Sequence, residues 1–79
     1  MEPLAIKNLE EASEIIAKAT LQLSDIYDMH AEVKEVGIPK RAAEYLDIAD
    51  KKIRKTQSLL IRAMFTIAMA ITELEGENQ

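Results

Sequence analysis

Val36-Gly37-Ile38-Pro39 decides how this chain folds. It is the one punctuated stretch between two long runs of helix-forming sequence. Gly37 has the freedom to take the left-handed conformation past a helix end, and Ile38 can fold back on the last turn. Pro39 cannot extend the first helix, but it starts a second one without loss, because the first N–H groups of a helix have no partner anyway. The spacing predicts one helix over 4–36, a turn at 37–38, a second helix over 39–75 and a polar tail at 76–79. Gly76 is the expected stop. So short a link makes the two helices antiparallel. The expected fold is all-α: a single helical-hairpin domain over 1–79 that dimerises into a four-helix bundle.

Outward from the turn, both arms carry a seven-residue repeat. In the first, Leu9, Ile16, Leu23 and His30 form one column, and Ala5, Ala12, Ala19, Ile26 and Val33 a second. In the other, Leu46, Ile53, Leu60, Ile67 and Leu74 form one column, and Ala42, Ala49, Thr56, Ala63 and Ala70 a second. The two columns of each arm are the expected seam of the hairpin. Small residues let backbones approach, and the large ones fill the remaining space. This resembles the alanine-rich antiparallel pairing of Rop-like hairpins. The resemblance covers the pattern along most of the chain and no sequence motif.

Ser58 to Thr72 reads SLLIRAMFTIAMAIT, with only Ser58, Arg62, Thr66 and Thr72 not apolar. A helix apolar nearly all round is not covered by one neighbour. Ile61, Met64, Phe65, Ala68 and Met69 are therefore the expected contact surface for a second hairpin, or for another helical protein. A membrane is not an expected partner, because the run is too short to span one and carries Arg62.

Composition narrows the class. The chain has 79 residues, of which 48% are hydrophobic and 30% charged, with a net charge of −4 and no cysteine. A domain of this size buries only about 60% of its unfolded surface, so it needs a staple or a partner. Disulfides and thiolate metal sites are excluded, which leaves oligomerisation as the expected remedy. Met1 and Glu2 are expected to be frayed. The opening MEPLAIKNLEEA lacks a basic segment followed by an apolar run, so no secretory leader is expected and the location read from it is cytoplasmic.

Four constellations invite a chemical reading. Glu11-x-x-Glu14 and Glu44-x-x-Asp47 each share a helix face, and two such carboxylate pairs can hold Mg²⁺. The pattern resembles the ExxE…ExxD signature of all-helical nucleotide pyrophosphohydrolases of the MazG type. That resemblance implies Glu11, Glu14, Glu44 and Asp47 as metal ligands. In one hairpin, however, Glu11 and Glu44 stand about 30 Å apart by helix rise, and only an antiparallel dimer joins them. Asp25, Asp28, Asp47 and Asp50 gather near the turn and read as an acidic surface. His30 lies in a seam column facing Ala42, Tyr45 or Ala49, hydrogen-bonded to a neighbour, with a pH-sensitive packing switch as the sharper reading. Lys51, Lys52, Arg54 and Lys55 form a basic cluster, the expected contact of a Rop-like nucleic-acid-binding regulator. Four cations on an acidic chain make nucleic acid the lesser expectation. Taken together, these residues point to a small non-enzymatic protein acting through protein contacts, with no catalytic residue, metal or cofactor expected.

Overall fold

The computed structural model describes the backbone of residues 3–77 and the side chains of residues 4–76. Helix α1 spans Pro3–Glu35 and helix α2 spans Lys40–Glu77. They pack against each other as a hairpin of 60 × 15 × 11 Å. The expectations placed on Met1, Glu2, Asn78 and Gln79 lie outside the described residues.

Local chemistry sets the turn. The N–H groups of Val36 and Gly37 donate to the carbonyls of Val33 and Lys34 at 3.3 and 3.2 Å, tightening the last turn of α1. Gly37 then takes φ +89°, the left-handed value expected of it. Pro39 stands one residue before α2, and its carbonyl accepts the first helical bond, from Ala43 N–H at 3.1 Å. Each helix boundary at the turn thus falls within one residue of expectation. The far end differs. Gly76 does not stop α2, which continues to Glu77. Glycine permits a helix to end but does not force it to, and Gly76 lacks the positive φ that ends α1.

The seam is half as expected. Leu9, Ile16, Leu23 and His30 on α1 and Leu46, Ile53, Leu60, Ile67 and Leu74 on α2 turn inward and are half-buried. Their companions are not the alanine columns. On α1 they are Ile6, Ser13, Thr20, Tyr27 and Lys34, and on α2 Ala43, Asp50, Gln57, Met64 and Ile71, all half-buried or buried. The alanine columns stand one residue earlier and border the seam, where Ala5, Ala12, Ala19, Ala49 and Ala63 are half-buried as expected. On α2, Ala42, Thr56 and Ala70 are exposed outright, as are Ile26 and Val33 on α1. The physical reason is hydrogen bonding. Tyr27, Lys34, Asp50 and Gln57 find partners across the pair there, whereas the Thr20 hydroxyl donates to the Ile16 carbonyl of its own helix. Gln57 Nε2 donates to the Thr20 carbonyl at 3.0 Å and to Ser24 Oγ at 2.8 Å. Hydrophobicity alone favours the alanines, and hydrogen bonding across the pair reverses that order.

Candidate functional site

The most enclosed side chain of the hairpin is a carboxylate. Asp50 is the one buried residue among those described, at 6% exposure. This corrects its assignment to an outward acidic surface. One helical turn along, Asp47 does face solvent. His30 meets Asp50, not Ala42, Tyr45 or Ala49, with Nδ1 2.6 Å from Asp50 Oδ1. An ionised carboxylate only accepts, so Nδ1 carries the proton and donates. Lys34 Nζ donates to Asp50 Oδ2 at 3.2 Å and to Asp47 Oδ1 at 2.5 Å. Burial pushes the Asp50 carboxyl up. The hydrogen bonds from His30 and Lys34, with their charges, outweigh it and hold the carboxyl below its ordinary value. The hydrogen bond to Asp47, then that to Asp50, raises Lys34. Every polar side-chain atom buried among the described residues has a partner. The cluster ties the two helices near the turn, and its groups are engaged with one another.

At 100° per residue, Lys51, Lys52, Arg54 and Lys55 fan round most of the outer half of α2. Arg54 is committed within the hairpin. Its guanidinium lies 4.5 Å from the Tyr27 ring centroid, and its Nη2 donates to the Tyr27 hydroxyl at 2.5 Å. That leaves three exposed lysines, of which Lys51 and Lys55 share a face one turn apart. Glu11, Glu14, Glu44 and Asp47 are exposed, the first pair on α1 far from the turn and the second beside it. Among the described residues, no three His, Cys, Asp or Glu side chains come together in a way that fits a metal ion.

What remains is apolar surface. No hydrophobic residue among those described is buried, whereas Ile61, Phe65 and Met69 are 43%, 67% and 68% exposed. Of the five residues expected at a contact surface, Met64 instead turns half into the seam. Ile61, Phe65 and Ala68 lie along one edge of the hairpin, and Met69 lies on the back of α2. A shallow groove of about 350 Å³ runs between Ser13, Ile61, Met64, Phe65 and Ala68. No described helix is long and apolar enough to cross a membrane. Of the polar links between the helices, Ser24–Gln57, Tyr27–Arg54 and Lys34–Asp47 fall on the same edge as Ile61. The other edge carries the displaced alanine columns of both helices. The position of that edge was not legible from composition, but the strict seven-residue spacing of the alanines was its signal. Compared with family models, curated proteins and solved structures, this chain matches none.

Proposed function

We propose that this protein is a small non-enzymatic assembly module, a half-bundle that pairs with a second copy as a four-helix bundle and acts through protein contacts. One observation carries the reading: the hairpin buries no hydrophobic side chain among its described residues. Its accessible surface is 6268 Å². A compact protein of the same mass exposes roughly 4,800 Å². The surplus is about 1,500 Å² per chain, the range that obligate homodimers bury. The radius of gyration of 18.1 Å agrees, since a compact domain of this length measures about 12 Å. Two such rods laid side by side recover a core that neither has alone.

Light scattering at micromolar concentration tests the reading. The expected mass is twice the 8.9 kDa of the chain. A folded species at the single-chain mass overturns it.

A further inference from the structure

Hairpins of this shape offer two long edges to a partner, and the edges differ. Along one, Tyr27, Arg54, Lys34 and Asp47 are exposed or half-exposed and hydrogen-bonded across the helices. Glu10, Glu14, Asp28 and Lys51 crowd the same edge, exposed. Burying it would strip water from many charges, an unfavourable step for every ion left unpaired. Leu21, Ile61, Phe65 and Ala68 lie between its middle and its open end.

The opposite edge is made by the columns that sit one residue before the inward polar columns. In an antiparallel pair, both such columns fall on the same side of the hairpin. Ala12, Ala19, Ile26 and Val33 run down α1, and Ala49 and Ala63 run down α2. The next columns outward supply large side chains that have no cover. Ile15 is 67% exposed, Met29 59%, Tyr45 60% and Leu59 54%. Among the described side chains of the four columns that form this edge, Lys52 and Glu73 alone carry charge. Asn8 and Gln22 are its exposed amides, and its two threonines are polar in name only. Thr56 Oγ1 donates to the Lys52 carbonyl at 2.8 Å and Thr66 Oγ1 to the Arg62 carbonyl at 3.0 Å. Each hydroxyl is satisfied within its own helix.

We infer that this alanine-and-aliphatic edge, and not the Ile61–Phe65 patch, is where a second copy of this chain docks, face to face along the whole hairpin. The inference rests on the self-association reading and adds the face to it. Three observations select the occupant. The surplus surface equals what a homodimer interface removes. The edge is as long as the hairpin, so a partner must present an apolar strip of about the same length, which a second copy does. Small columns flanked by large ones, on both helices, are self-complementary. The large side chains of one copy fit over the alanines of the other, and the backbones come close.

Labelling of single cysteines tests this, because the chain has none of its own. Thr56 and Ser58 stand two residues apart on α2, both exposed in the hairpin and on opposite edges. At a concentration where the protein is dimeric by mass, Thr56→Cys should react with a maleimide about tenfold or more slowly than Ser58→Cys, as expected when fewer than roughly one chain in ten is dissociated. Equal rates, or protection of Ser58→Cys instead, overturn the assignment while the dimer stands. A monomeric mass for the wild type removes both readings. Charge insertion gives an independent arm. Ile26→Lys with Leu59→Lys should abolish the dimer, and Ile61→Lys with Phe65→Lys should leave it intact. The reverse pattern overturns the inference.

Discussion

Burial alone would make Asp50 a reluctant anion, yet His30 and Lys34 hold it ionised between the helices. Removing it leaves two donors facing an empty acceptor. Asp50→Ala should therefore destabilise the fold by about 1–3 kcal/mol. Asp50→Asn, which keeps an acceptor, should cost less. Urea unfolding of the three proteins measures the order. The pH dependence has a definite sign. A carboxyl lowered on folding adds stability that is present above its ordinary value of 3.8 and is lost as pH falls through the folded value. The gap between wild type and Asp50→Asn should thus close in acid. Lys34 is raised on folding, so its contribution is complete below 10.5 and is lost as pH rises through the folded value. Lys34→Gln should flatten the alkaline limb, read from thermal midpoints by circular dichroism. Nothing in the sequence marked Asp50 apart from Asp47. Two positions in the same helical repeat differ by which one meets His30 across the pair, and only the register of the two helices settles that.

At the scale of the helices, the two glycines should respond with opposite signs. Gly37 holds φ +89°, and an added Cβ would meet nothing within 4 Å. The cost of Gly37→Val is therefore backbone strain, about 1 kcal/mol or more. Gly76 lies inside α2, and its Cβ would likewise meet open space. Gly76→Ala should therefore stabilise the chain, by about 0.4–1 kcal/mol. Thermal unfolding of the two variants beside wild type checks both, and a stable Gly37→Val would mean that the turn has no left-handed residue. The turn was legible because a glycine followed by Ile38-Pro39 leaves one backbone solution. The seam was legible in its large column and not in its small one. Leu9 and Leu60 point inward on any reading of the repeat. The companion column follows at three or four residues, and the alanines made three look better. Gln57 and Asp50 took the place because their partners stand opposite.

At the scale of the whole molecule, a hairpin with no buried hydrophobic residue among those described should draw its stability from association. The thermal midpoint should then rise with protein concentration, because dilution favours the separated and unfolded chains. A midpoint that stays fixed over a hundredfold dilution would count against self-association. The sequence by itself determined the two helices, their antiparallel pairing and the place of the turn, since periodicity and Gly37-Ile38-Pro39 are local signals. It also marked an excess of apolar side chains over what one neighbour covers. The tertiary structure decided which alanines leave the seam, which aspartate is enclosed and on which edge the two uncovered columns meet. Those outcomes depend on how one helix is rotated against the other. A rotation of one residue exchanges a column of alanines for a column of hydrogen-bonding side chains, and that choice is made only when the partner groups are in place.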